Sequence, residues 1–402
     1  MQYYNTGNNS WSTGPEQQAF VYNSTEGRAA GLGVVAFVES SAGIPLRVRW
    51  AGFEFDMGAD SIAIVDASLG VQWLSSAVTA PQTHRVYNPI SDLGASGLGP
   101  GNSLQWSSWG EPVLASEAKQ GPPSKSASAP IEQGAFTTGL TEYMWYETTL
   151  PAGGIKAGDS IAIASRSANA LLAFAGDALL GVADDHSHGD KDLTLTITAT
   201  DASPAGASKL AILSETLGYS NDMSTGSGPK TKGIIGAVKI NGNELSGAQW
   251  TMRGDLTGNF LKIGSAGNKD KVTWTKGPTT GASPRLTWLQ ADFTLARALA
   301  PGERLHFNAT GLGRGHLFLN GNDAGRYWTI QRNDKSGEAT QTMYHMPTAW
   351  LNPAGTSNLI TVAEVLGASA VEQPGLFVVS MQPGSGPVPS SGWGDGVNSC
   401  EM

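Results

Sequence analysis

Gly311 to Trp328 read GLGRGHLFLNGNDAGRYW. A short apolar strand, His316 to Leu319, meets an Asn-Gly pair at Asn320 and Gly321, and a second strand runs on to Gly325-Arg326-Tyr327-Trp328. Asn-Gly between apolar runs is a strong short-range hairpin signal, because both residues tolerate positive φ. The stretch predicts a β-hairpin that ends in a cation and two aromatic side chains.

Outward from this hairpin the chain keeps the same texture. Among 402 residues, hydrophobic side chains make up 40%, enough apolar material for sizeable cores, and charged ones only 15%. Gly at 52 and Pro at 21 punctuate many short apolar runs, and long helical patterns are scarce. That combination predicts an all-β chain of two or three domains. A net charge of -9 leaves no basic stripe to neutralise phosphates, so nucleic acid is excluded as a partner class. No apolar run approaches the roughly 20 residues a membrane-spanning helix needs. Cys400 is the single cysteine, so no intrachain disulfide can form. It reads as an idle thiol, with an intermolecular disulfide as the sharper alternative.

The pattern divides the chain. Residues 1–80 alternate strand-like runs with turns and read as a small β-sandwich. Residues 81–134 hold Pro81, Pro89, Pro100, Pro112, Pro122, Pro123 and Pro130 and read as a Pro/Ser/Gly-rich connection over the surface, with Trp106 and Trp109 docked on something. Strands resume over 135–250 and again over 251–384. Residues 385–402 read as a flexible tail. A weak internal repeat links Ala170 to Gly181 (ALLAFAGDALLG) with Gly315 to Gly325 (GHLFLNGNDAG). Each follows an edge-like apolar run, Ile161 to Ala164 and Leu305 to Phe307. Two jelly-roll sandwiches in tandem give this pattern.

An ordered set of motifs then carries a resemblance. The hairpin itself is similar to the "G-x-G-x-x-x-x-N-G-x-x-x-G-R-Y/H-W" segment of family 35 β-galactosidases. Leu140 to Tyr146 (LTEYMWY) resembles that family's "T-x-D-Y-L/M-W-Y". Ser165 to Gly181 is similar to "S-x-G-H-A-L-H-V-F-V-N-G-x-x-x-G", although that His is absent and Ala175 replaces the Asn. Ile212 to Tyr219 and Lys232 to Gly236 resemble "L-L-S-x-x-x-G-L" and "K-G-I-x-G-x-V". Trp250 and Trp288 fall on the family's tryptophans, and Tyr344 to Pro353 resembles "Y-H-V-P-R-S-W-L-K-P". Residues 15–75 match more weakly, through Ala19 to Asn23 and Asp60 to Ile64. The chain therefore resembles the non-catalytic C-terminal β-domains of plant-type glycoside hydrolase family 35 β-galactosidases. The resemblance implies a small β-sandwich followed by two galactose-binding-like jelly-roll sandwiches.

It implies no catalysis by this chain alone. Retaining glycosidases need two carboxylates about 5 Å apart. In this family both stand on a (β/α)8 barrel of roughly 250 residues, and nothing in the sequence reads as one. Glu142, Glu147, Glu215 and Glu364 lie in strand-like runs and read as solvated edges or structural hydrogen-bonding groups. No catalytic residue and no cofactor are expected.

A sugar site needs aromatic faces for C–H groups and planar polar groups for hydroxyls. Asn320, Asn322, Arg326, Tyr327, Trp328, Tyr344 and His345 are the carbohydrate-binding candidates, set against fold maintenance as the plainer reading. Asp184, Asp185, His186, His188 and Asp190 form the one ligand-rich cluster and are the metal candidates, set against a polar surface turn.

Three functions stay open: an accessory or interaction module docked to a partner chain or larger assembly, a β-domain light chain whose barrel is a separate polypeptide, or a galactoside-binding lectin. A surface once covered by a barrel would favour a protein partner or an oligomer. The family and the sequons at Asn8, Asn23 and Asn308 favour a secreted, cell-surface or vacuolar setting. The polar start, MQYYNTGNNS, lacks a signal-peptide core. Processing from a longer exported precursor is the expectation that reconciles the two.

Overall fold

The computed structural model describes residues 2–4, 17–23, 34–40, 45–78, 83–99, 103–186, 191–219, 231–277, 286–329, 341–366 and 375–383. They form two compact units, residues 1–84 with 382–402 and residues 85–381. The fold is all-β, built of antiparallel sheets, with helices of only a turn or so.

The smaller unit carries β1 (Gln2–Tyr4), β2 (Gln17–Asn23), β3 (Val34–Ser40), β4 (Leu46–Trp50), β5 (Phe53–Met57), β6 (Ser61–Asp66) and β7 (Gly70–Leu74). One sheet runs β1-β2-β3-β6-β7, and β4 and β5 pair as a hairpin. Alternation decides the faces, because successive strand side chains point to opposite sides. Ala19, Val21, Ala36, Val38, Ala63 and Val65 turn inward and pack with Val48 and Met57 of the hairpin. The opposite face is also apolar. Phe20, Phe37, Ile64 and Trp73 stand in register across four strands.

The larger unit holds two sandwiches. The first combines a six-stranded and a four-stranded sheet. Its strands are β10 (Ser124–Ala127), β11 (Tyr143–Thr149), β12 (Ser160–Arg166), β13 (Asn169–Ala175), β14 (Ala178–Asp185), β15 (Asp192–Thr198), β16 (Lys209–Thr216), β17 (Val238–Ile240), β18 (Asn243–Glu244) and β19 (Trp250–Gly254). The sheet orders are β10-β19-β11-β16-β13-β14 and β15-β12-β17-β18. A short helix, α1 (Gln133–Thr137), precedes β11, with the Glu132 carboxylate accepting from Gly134 and Ala135 at its start.

The second sandwich uses β8 (Thr83–Pro89), β9 (Ser107–Gly110), β20 (Thr275–Lys276), β21 (Thr287–Thr294), β22 (Arg304–Asn308), β23 (Arg314–Leu319), β24 (Asn322–Trp328), β25 (Met343–Met346), β26 (Ser357–Glu364) and β27 (Gly375–Pro383). Its orders are β20-β9-β21-β26-β23-β24 and β25-β22-β27-β8. The core order β11-β16-β13-β14 thus recurs as β21-β26-β23-β24, and β15-β12-β17 recurs as β25-β22-β27. The weak sequence repeat is the same hairpin in two sandwiches: β13-β14 and β23-β24. Both hairpins shift register within β13 and β23, at Ala173/Phe174 and Leu317/Phe318.

The block read as a surface connection does more than connect. β8 and β9 join the second sandwich and β10 joins the first. Within the same block, the buried Glu111 carboxylate accepts from the backbone of Thr257 and Gly258 at the start of a second short helix, α2 (Thr257–Leu261). It also accepts from the Trp288 indole at 2.9 Å. Burial pushes this carboxyl above the usual range, and the hydrogen bonds from Thr257, Gly258 and Trp288 hold it partway back.

Three cores stack through the larger unit. One fills the first sandwich, with Met144, Tyr146, Leu171, Ile212 and Met252. One fills the second, with Leu289, Phe307, Leu317, Tyr327 and Val362. The third lies between the two six-stranded sheets and joins Tyr143, Trp145, Phe174 and Leu213 to Trp288 and Ala363. The strands β11, β13 and β16 are therefore buried on both faces. That is why they read as continuous apolar runs, YMWYETT and NALLAFA, and not as alternation.

Candidate functional site

The opening hairpin is β23-β24, and it lies on the seam between the two sandwiches. Leu317, Leu319 and Tyr327 point into the second sandwich. Alternation then turns Arg314, His316 and Arg326 toward the first. Arg314 is fully buried, and its Nε lies 2.9 Å from Glu215 Oε2 on β16, itself 1% exposed. This is a charge contact more than an aligned hydrogen bond. Asp184 on β14 stands 3.3 Å from Arg314 Nη1. Glu142, just before β11, accepts from His316 Nε2 at 2.7 Å and from Arg326 Nε at 2.8 Å. Arg326 Nη2 also donates to the Thr216 carbonyl. His316 Nδ1 faces Asp323 at 3.3 Å.

The charges set one another. Burial alone would lower the His316 imidazole, but the hydrogen bonds to Asp323 and Glu142 outweigh it and raise the group to about 9. Burial would raise Glu142, yet His316 and Arg326 hold it below the usual carboxylate value. Asp323 is likewise lowered against its burial, chiefly by His316.

Beside this network a cavity of about 530 Å³ opens, lined by residues of both sandwiches, among them Glu142, Tyr143, Tyr219, Asp255, His316 and Arg326. Its volume lies in the ~300–1,000 Å³ range of small-molecule sites.

The sequence candidates for sugar binding disperse. Asn320, at φ 52, donates through Nδ2 to the Trp350 carbonyl and Asn358, and its Oδ1 accepts from the Leu359 backbone. It staples the turn to β26. Asn322 bonds the Leu319 carbonyl. Tyr327 is fully buried and donates to Glu364 at 2.5 Å. The Trp328 backbone bonds the Tyr344 hydroxyl in both directions, and the Trp328 ring takes the Arg314 guanidinium over its face. His345 sits opposite His306 on the four-stranded sheet, rings 5.3 Å apart. Of the seven, Arg326 alone lines the cavity.

The metal candidates are also spoken for in part. Asp184 pairs with Arg314 and, at 3.1 Å, with His186. Asp185 accepts from the Ala168 backbone. His188 and Asp190 lie outside the described residues, and no group of three or more metal-ligating side chains occurs among those described.

The carboxylates read as structural find such partners. Glu364 accepts from Gly313, Leu366 and Tyr327, and Glu147 from the Ala115 backbone. His316, Asp323, Asp255, Asn259 and Tyr219, which line the cavity, do not stand out in the sequence. The available signal was Arg314-x-His316, polar side chains at alternate positions of an apolar strand, which calls for buried partners on one face.

Residues 286–358 match the family described as Beta-galactosidase, galactose-binding domain. The matched segment runs from the start of β21 into β26 and contains the whole seam hairpin. It ties this part of the chain to a domain associated with β-galactosidases. Among solved structures, the chain is 15% identical to the α-L-rhamnosidase of Streptomyces avermitilis solved with L-rhamnose, over 91% of this chain and 36% of that one, at a TM-score of 0.17. It is 9% identical to the GH31 α-xylosidase of Xanthomonas citri, over 89% and 33%, at 0.17. An anti-sigma factor domain-containing protein aligns at 8% identity over 69% of this chain and 93% of that one, at 0.18. The chain spans about a third of the length of the two glycosidases.

Proposed function

We propose that this chain is a non-catalytic, β-galactosidase-like protein that binds a galactoside-bearing glycan and docks to a partner chain. The observation that carries the reading is the match of the matched segment, β21 into β26, to a galactose-binding domain. The ordered motifs from Leu140 to Pro353 favour the plant-type family 35 kind. The described residues form sandwiches and no barrel, and the strand carboxylates Glu147, Glu215 and Glu364 are engaged in structural contacts.

Docking is supported by the smaller unit. Its five-stranded sheet presents Phe37, Ile62 and Trp73 at 39%, 45% and 43% exposure on its outer face. Apolar faces of this kind on a sheet mark interaction surfaces more often than idle ones. A barrel-bearing chain is the partner that the family reading favours, which would make this chain the β-domain half of a two-chain hydrolase. A free-standing lectin is the alternative that the apolar face disfavours.

The test is purification from the native source, with intact mass measurement, a β-galactosidase assay and galactoside titration on one fraction. A co-eluting barrel-bearing chain with activity supports the two-chain form. Galactoside binding by this chain without hydrolysis supports the non-catalytic reading. Hydrolysis by this chain alone overturns it.

A further inference from the structure

Resting on that reading, the seam carries a more specific one. The cavity between the sandwiches joins a polar floor to an apolar lip. Leu140 is 88% exposed and Tyr219 is 40% exposed, and both line it. An aromatic beside planar polar groups suits a ring with one C–H face and one hydroxyl edge. Lys232, itself buried, sits over the Tyr219 ring at 5.3 Å and helps to fix it.

On the floor, Glu142, Asp255 and Asp323 each keep acceptor capacity. Among the described residues, Glu142 accepts on Oε2, Asp323 on Oδ1, and Asp255 on Oδ1, where Thr141, Asn259 and the Leu256 backbone donate. An ionised carboxylate has about four acceptor positions on its two oxygens, so each has room for a hydroxyl donor. The cations beside them, His316 and Arg326, are already paired with Glu142.

A second observation points the same way. Tyr143 is 1% exposed and lines the cavity, and its hydroxyl has no hydrogen-bond partner among the described residues. A buried hydroxyl without a protein partner is costly, and a polar group supplied from the cavity would relieve that cost.

We propose that this cavity is the saccharide site of the chain, holding a neutral hexopyranose with its hydroxyls on the Glu142, Asp255 and Asp323 carboxylates and its apolar face on Tyr219. An anionic sugar or phosphate is disfavoured, since three carboxylates face two cations that are already paired. A metal ion is disfavoured because the carboxylates do not converge into a ligand group. The site is shared: Asp323 and Arg326 come from the second sandwich, Glu142 and Tyr219 from the first. The galactose-binding segment therefore makes only half of it.

The experiment is calorimetric titration of the full chain with methyl β-galactoside, lactose, and the methyl glycosides of glucose and mannose, repeated on Tyr219→Ala, Asn259→Ala and His345→Ala. Tyr219→Ala and Asn259→Ala touch the mouth and keep the seam pairs, so unchanged thermal melting is the control for folding. A rise in Kd of about tenfold or more in these two, with His345→Ala unaffected, is expected. Undiminished binding in both folded cavity variants overturns the location while galactoside binding stands. Binding of none of the four sugars overturns both readings. Weakening by His345→Ala alone moves the site to the four-stranded sheet and overturns the proposal.

Discussion

Arg314 of β23 and Glu215 of β16 face each other at 2.9 Å across the two sandwiches, and neither reaches solvent. A buried pair of this kind is weak evidence of net stability but costs heavily when halved. Arg314→Leu or Glu215→Leu alone is expected to destabilise the larger unit by about 3–5 kcal/mol in urea unfolding, since each leaves a buried charge. The double replacement should recover much of that loss. Equal losses from single and double variants would show that the pair does not couple.

Gly315 follows Arg314 and has its own constraint. A Cβ there would stand 1.7 Å from the Ala363 carbonyl on the neighbouring strand. Backbone cannot yield as a side-chain tip can, so Gly315→Ala should lower stability by about 1–3 kcal/mol or more. Thermal melting reads it directly.

The His316 cluster predicts a pH window. His316 is raised from 6.5 to about 9, so the stability it adds is full below about pH 6.5 and is lost as pH rises through 9. Glu142 and Asp323 are lowered from 4.5 and 3.8, so their share is present above those values and is lost on acidification through their folded values. The seam should therefore be most stable at about pH 5–6.5. In a melting-temperature profile, His316→Gln should flatten the alkaline limb. An unchanged alkaline slope would contradict the pairing.

The turn offers a contrast between neighbours. Asn320 combines a positive φ with three hydrogen bonds, and Asn322 makes one weak contact at 3.3 Å. Asn320→Ala should cost about 2 kcal/mol, whereas Asn322→Ala should stay within about 0.5 kcal/mol. Urea midpoints that rank the other way would place the structural burden elsewhere.

The fold was legible where local chemistry decides it. Asn320-Gly321 announces the hairpin, and β-branched and aromatic residues announce the strands of the smaller unit, whose two faces are both apolar but differ in burial. The doubling of the sandwich showed as a faint repeat because β13-β14 and β23-β24 are one hairpin used twice. The short outlying strands were not legible: β10, at a sheet edge, is Ser-Lys-Ser-Ala, and β9, between β20 and β21, is Ser-Ser-Trp-Gly, and such Ser-rich runs pair because a neighbouring strand is available. Nearness to the hairpin in sequence singles out residues that the fold then separates. The seam instead joins His316 and Arg326 to Glu142, 174 and 184 positions away. Tyr327 and Tyr344, which look like ligand-facing aromatics, are spent on Glu364 and on the Trp328 backbone.

One titration tests the central claim most directly: methyl β-galactoside into the purified full chain, with hydrolysis of a chromogenic β-galactoside followed on the same sample. Saturable binding without turnover is the predicted result. Turnover by this chain alone, or no binding at millimolar sugar, would contradict it.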